Sequence, residues 1–209
     1  MSAAAETITV ERLPSASRLL ADAFFDNPPH VYIWPDPATR REHMEWVLGS
    51  NLALQDRERS FCIARGDDLD AMGFWTIHGE PGPSRFAQLR AGAWRIPFRL
   101  GLACTRRLGE VVGAIDRSAE RVLGDEPAWY LHNMVVDERL RGTGVGTRLL
   151  GEQLERIGRL DPGARCILDT QKHENVVFYR RLGFEVVSEE TVGSGELAFT
   201  NWVMTRPAA

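Results

Sequence analysis

Apolar and polar positions alternate from Glu6 to Val10, the pattern of a short first strand, and Leu13-Pro14-Ser15 then offers a helix start into Ala16 to Phe25. Asp26-Asn27-Pro28-Pro29 stops that helix. Met44, Val47, Leu48 and Leu52 share a face at helical spacing, which predicts a second helix from Ala38 to about Gln55 with its start set by Pro35-Asp36-Pro37. Phe61 to Arg65 and Ala71 to His78 read as strands of a hairpin with a longer loop, Gly66 to Asp70. From Arg85 to Leu123 the character is helical, broken near Pro97 and by Gly101, Gly109 and Gly113, so two or three pieces are expected. Trp129 to Val136 is the next strand. After it Val145, Leu149, Leu150, Leu154 and Ile157 form one apolar stripe, with Arg148, Glu152, Glu155 and Arg159 opposite. Cys166 to Asp169 is a strand, and Asn175 to Leu182 a short helix ended by Gly183. Phe184 to Ser188 and Leu197 to Met204 are two final strands, expected to be antiparallel neighbours joined by Gly193-Ser194-Gly195. The whole is an α/β chain whose centre runs strand, glycine turn, helix, strand.

Composition narrows the class. With 209 residues, 44% hydrophobic and 26% charged, the chain can bury one good core, and a single domain is the default. No stretch approaches the roughly 18 apolar residues of a membrane helix, and Met1 to Glu6 lacks the regions of a signal peptide, which points to a cytoplasmic protein with no membrane partner. A net charge of −4 argues against nucleic acid as a partner. One local exception is the stretch from Arg85 to Arg121, where eight arginines face Glu110, Asp116 and Glu120; a solvated helix face and contact with a membrane or polyanion are both readings of it. Cys62, Cys104 and Cys166 are odd in number and far apart, so reduced structural thiols are expected. Nor does any cluster of His, Cys, Asp or Glu have metal-ligand spacing.

The most chemical stretch is Leu140-Arg141-Gly142-Thr143-Gly144-Val145-Gly146-Thr147. A strand that turns on glycines into a helix leaves amide hydrogens unpaired at the positive end of the helix dipole, and that suits phosphate. A flexible turn would need fewer glycines. Gly146 is followed by Thr147-Arg148, so a P-loop for nucleoside triphosphates is disfavoured, and the third glycine of a dinucleotide fingerprint is missing.

Arg141-x-x-Gly144-x-Gly146 instead resembles the R/Q-x-x-G-x-G/A signature of the GCN5-related N-acetyltransferase (GNAT) family. Trp129 to Val136 resembles that family's fourth strand, and Ile167-Leu168-Asp169-Thr170 with Asn175 to Phe184 resembles its second conserved block. Pro127 to Phe184 carries the match strongly, with Glu138 a mild departure where the family often has proline. "EPAWYL", "LDT" before "NVVFYRRLGF", and the closing "WVMTRPA" are similar to the puromycin N-acetyltransferase group within the family.

The resemblance implies a GNAT fold in one domain over 1–209: a mixed, mostly antiparallel sheet of six to seven strands with splayed fourth and fifth strands, flanked by helices. Residues 1–125 would form the acceptor side and 126–209 the acetyl-CoA core. It implies acetyl-CoA as co-substrate, its pyrophosphate held by Arg141, Gly142, Thr143, Gly144, Val145, Gly146 and Thr147, and its pantetheine arm by the main chain of Met134, Val135 and Val136 and by Asn175. On spacing alone Asn175 reads equally as a helix N-cap, and Tyr179 as a half-buried aromatic.

By the resemblance Tyr179 is the acid that protonates the departing thiolate. His132, sent by strand alternation to the face opposite Asn133, is the candidate base, with a structural histidine as the equal alternative; His78 and Glu80 come next. Phe25, Tyr32, Trp34 and Trp75 are candidate aromatic walls of the acceptor pocket. The expected acceptor is the amine of a small molecule. A protein N-terminus or lysine is the alternative within the class, and a non-catalytic acyl-CoA sensor the alternative outside it. The sequence leaves monomer and homodimer both open.

Overall fold

A computed structural model describes residues 5–207. Among them six strands form one sheet in the order β1-β2-β3-β4-β6-β5: β1 (Ser60–Arg65), β2 (Asp68–Ile77), β3 (Trp129–Val136), β4 (Cys166–Thr170), β5 (Glu185–Val192) and β6 (Phe199–Arg206). All neighbours are antiparallel except β3 and β4. The helices are α1 (Leu13–Ala23), α2 (Pro28–Ile33), α3 (Pro37–Leu52), α4 (Arg85–Arg90), α5 (Ile96–Leu123), α6 (Val145–Leu160) and α7 (His173–Arg180).

Three expectations are corrected. Glu6 to Val10 makes only a single bridge, Glu6 to Cys62; the Ile8 amide donates to the Ser60 hydroxyl at 2.9 Å, and the chain turns into a 3-10 turn at Val10–Arg12. A side-chain acceptor in place of a main-chain one ends the ladder there. The strand that the family pattern counts as fourth is therefore β3. The stretch after the Asp26-Asn27-Pro28-Pro29 stop, to which the sequence pattern assigns no element before Ala38, holds helix α2, begun by Pro28 after Asn27, because proline is pre-set for a first helical position. The β1–β2 loop is short, since pairing continues to Arg65 opposite Asp68 with an irregularity between Ile63 and Ala64.

Two apolar layers flank the sheet. The α6 stripe of Leu149, Leu150, Leu154 and Ile157 packs with Val176 and Tyr179 of α7 against Leu131, Cys166, Leu168 and Met204. On the other face, Leu20, Met44 and Leu48 cover Cys62, Met72, Phe74 and Val135, while Ala119 and Leu123 of α5 cover Tyr130, Ile167 and Val203. α5 carries the interruption expected at Gly101, which has φ +77. Buried Arg40 fastens the segment between α1 and α3: its guanidinium donates to the carbonyls of Trp34, Phe25 and Pro35 at 2.7, 3.2 and 2.9 Å.

Two irregularities shape the centre. β3 and β4 pair only at Trp129 with Cys166 and Tyr130 with Ile167, so beyond those residues the strands part. β3 also bulges, because Met72 faces Val135 and Phe74 faces His132, leaving Gly73 opposite both Asn133 and Met134. Asn133 takes up the extra residue at φ +51, and asparagine is among the few side chains that tolerate this conformation.

Candidate active site

Each site residue is placed by one of these elements. After β3 the chain makes a 3-10 turn at Glu138–Leu140 and then the glycine turn, with Gly142 at φ +76 and Gly144 at φ +84. Glycine is required at both by conformation, and nothing lies within 4 Å of where a Cβ would stand, so the outer side of the turn is open. Gly146 differs: a Cβ there would stand 3.1 Å from Val136 and 3.6 Å from Phe178, which seats the start of α6 against the end of β3 and against α7. The amides of Gly142, Gly144, Val145, Gly146 and Thr147 donate to no protein acceptor among the described residues. They form a concave set of donors at the positive end of a 16-residue helix. The Thr143 hydroxyl is engaged with the Leu140 carbonyl at 2.7 Å, so it stabilises the turn, and Val145 packs inward on the α6 and α7 core.

Arg141 is exposed, forms no ion pair among the described residues, and lines a cleft of about 720 Å³ beside this turn. The cleft is walled by α1 (Ser15, Arg18, Asp22), by Arg65 at the β1–β2 turn, by Asp137 and Arg139 after β3, and by Lys172 after β4. It thus opens over the ends of the parted strands. Beyond Tyr130 the edge of β3 facing β4, including Met134, Val135 and Val136, has no ladder partner among the described residues, whereas Val135 and Val136 still pair with Met72 and Ala71 on the other edge.

α7 closes the rear of the gap. Asn175 lies in its first turn and donates to the Thr170 hydroxyl at 3.0 Å, tying the helix to the end of β4; the N-cap is Lys172, not Asn175. Tyr179 is buried edge-on between Phe178 and Phe184, with centroids 5.0 and 5.9 Å away. Burial, reinforced by the carboxylate of Asp169, pushes its pKa up, so the phenol keeps its proton at neutral pH.

His132 sits on the opposite face, stacked on Phe74 at 5.4 Å, tilted against Tyr130 at 4.3 Å, and 2.9 Å from the Thr76 hydroxyl. Burial lowers its pKa to about 4, so it is a neutral imidazole at pH 7. The bulge sets its surroundings: past Asn133 the inward positions shift by one, placing Val135 with His132 on the α1–α5 face and Met134 and Val136 against α6 and α7. His78 and Glu80 are occupied elsewhere, His78 with the Gly124 carbonyl at 2.9 Å and Glu80 with Arg59. Of the expected aromatic walls, Tyr32, Trp34 and Trp75 are core residues, and only Phe25 reaches the cleft.

Sequence reasoning missed a polar network beside His132. The Tyr130 hydroxyl donates to Asp169 at 2.6 Å, the Gln171 amide donates to Asp169 at 2.5 Å and to Asn201 at 2.6 Å, and Asn27 of the α1–α2 link donates to Gln171 at 3.4 Å. Its only sequence signal was an aspartate closing an otherwise apolar strand, Cys166-Ile167-Leu168-Asp169.

Parted parallel strands, a donor-lined helix start at their mouth and a protonated phenol behind them define an acyltransferase of the GNAT class. The acetyltransferase (GNAT) domain family matches residues 100–205, and the chain belongs to that family as an N-acetyltransferase. Among curated proteins it is 24% identical over 190 residues to an uncharacterized N-acetyltransferase of Schizosaccharomyces pombe, covering 87% of this chain and 74% of that one. Among solved structures it is similar to a histone acetyltransferase HPA2 and related acetyltransferase of Corynebacterium glutamicum, with 20% identity and TM-score 0.68 over 100% of this chain and 98% of the other. Arylalkylamine N-acetyltransferase 2 of Aedes aegypti (14% identity, TM-score 0.64, 99% of each chain) and the polyamine N-acetyltransferase of Drosophila melanogaster (12%, 0.61, 98% and 99%) share the fold.

Proposed function

We propose that this protein transfers an acetyl group from acetyl-CoA to the amine of a small molecule in the cytoplasm, acting as a monomer or homodimer without nucleic acid or membrane. The observation that carries the cofactor is the set of unpaired amides of Gly142 and of Gly144 to Thr147 with Arg141 at their rim, a charge-complementary seat for a pyrophosphate. The free edge of Met134 to Val136 offers main-chain groups to an amide-bearing arm, and Asn175 stands at the far side of the gap. Acetyl-CoA supplies an activated acetyl thioester. Tyr179 donates its proton to the sulfur as the C–S bond breaks, since a thiol ordinarily titrates at about 8.5 and its sulfur leaves more readily when protonated. His132, neutral and on the opposite face, borders the acceptor side.

The acceptor is read as the amine of a small molecule, with a protein N-terminus or lysine as the alternative. The resemblance to puromycin N-acetyltransferases and the names of the arylalkylamine and polyamine enzymes that share the fold agree with a small-molecule acceptor. A CoA-release assay over puromycin, tryptamine, spermidine and peptides with free N-termini tests the reading. Turnover on at least one small amine is expected. Turnover on peptides alone would move the acceptor to protein, and acetyl-CoA binding without turnover would make the chain a sensor.

A further inference from the structure

Asp169 stands on β4 two residues past its last pairing with β3, where the strands have begun to part. Strand alternation separates it from Leu168, which faces α6 and α7, and puts it with Ile167 and Val203 on the face under α5. It is half-buried, and its oxygens accept from Tyr130 and Gln171 but meet no arginine or lysine in an ion pair among the described residues. An aspartate in such a place is costly unless a cation visits it. Fully buried Asn201 accepts from Gln171 through its oxygen and so fixes the Gln171 amide toward Asp169; its own Nδ2 donor has no acceptor among the described residues and takes no part in holding a cation.

Resting on the acetyl-transfer reading, we propose that Asp169, held by Tyr130 and Gln171, is the site that receives the acceptor's ammonium group and takes its proton before attack. The acceptor is thereby a primary or secondary aliphatic amine, cationic in solution. Tyr179 lies on the α7 side of the gap and Asp169 on the α5 side, so acid and base flank the position of the thioester. An ammonium N–H proton passes to the carboxylate and on to solvent. The freed nitrogen forms its bond to the carbonyl carbon, the C–S bond breaks, and the sulfur takes the Tyr179 proton. The second proton lost by nitrogen balances the one Tyr179 gave. Burial raises the Asp169 pKa, which strengthens it as a base, whereas His132 is weakened by its own burial. The titratable groups around Asp169 are Tyr130 and His132 of β3, Asp116 of α5 and Tyr179 of α7; of these Asp116 is acidic and favours a cation there.

The test uses the full chain with puromycin, tryptamine and spermidine in two arms: steady-state CoA release across pH, and titration calorimetry of the same amines onto protein saturated with CoA. Asp169→Asn is expected to weaken amine binding at least tenfold and lower kcat/KM for the amine about a hundredfold. The KM for acetyl-CoA should stay within twofold, and the acid limb of the wild-type pH profile should disappear. Asp169→Glu should restore part of the activity, and circular dichroism on both variants shows whether they fold. Amine binding and kcat/KM within threefold of wild type in folded Asp169→Asn overturn the inference and leave the acetyl-transfer reading standing. Amine binding that depends on Asp169 without turnover in the wild type sinks the transfer reading and keeps the ammonium site. No amine binding and no turnover in the wild type sinks both.

Discussion

The Tyr179 hydroxyl is placed by packing, not by a hydrogen-bonded relay: Phe178 and Phe184 fix the ring, and burial with the neighbouring Asp169 charge keeps the proton on oxygen. Tyr179→Phe preserves those ring contacts and removes only the proton donor. It should lower kcat about a hundredfold while acetyl-CoA affinity, measured by titration, changes less than threefold. An unchanged kcat would take Tyr179 out of the chemistry. At the same scale Gly142 and Gly144 are distinct from Gly146. The first two serve backbone conformation, and the third serves a close fit against Val136 and Phe178.

Among the elements, the α1–α3 unit depends on one buried cation. Arg40 holds three carbonyls of the segment linking the helices, stacks over Phe25 at 4.9 Å, and lies 3.7 Å from exposed Asp26. Arg40→Ala leaves those carbonyls without donors and a cavity behind them. We expect a loss of roughly 3 kcal/mol, read from urea unfolding. A loss under about 1 kcal/mol would show that the segment is held by its apolar contacts instead. The same segment carries Asn27, which reaches Gln171, so this variant should also weaken amine binding more than acetyl-CoA binding.

For the whole molecule, the buried histidines set the response to acid. Burial lowers His30 and His132 from 6.5 to about 4, with Arg40 adding to the effect at His30. Between those pH values the unfolded chain binds protons that the folded chain refuses. Stability is therefore present above about pH 6.5 and lost as pH falls toward 4, on the order of 3 kcal/mol for each histidine. Asp169, raised by burial, acts in the opposite sense and offsets part of this loss. Urea midpoints at pH 7, 5.5 and 4.5 should fall in that order, and His132→Phe should flatten the decline. A midpoint constant from pH 7 to 4.5 would contradict it.

The order of elements from β3 to β6, the donor-lined turn and the position of Tyr179 were legible in the sequence because each rests on local rules: a period of two or 3.6, a glycine at positive φ, a helix start after a strand. The first strand was misread for a non-local reason, since the Ser60 hydroxyl, 52 residues away, takes the Ile8 amide. Alternation also failed to describe β3, because the Asn133 bulge exists only where β3 meets β2. By itself the sequence determined the family, the glycine turn into α6 and the place of Tyr179 on α7. Only the tertiary structure decided which polar residues meet beside His132: Tyr130, Asp169, Gln171, Asn201 and Asn27 are joined by hydrogen bonds spanning 2 to 144 residues, and almost all of that joining comes from the sheet order. Periodicity records which side of an element is buried, and carries no information about which distant polar group will share that burial.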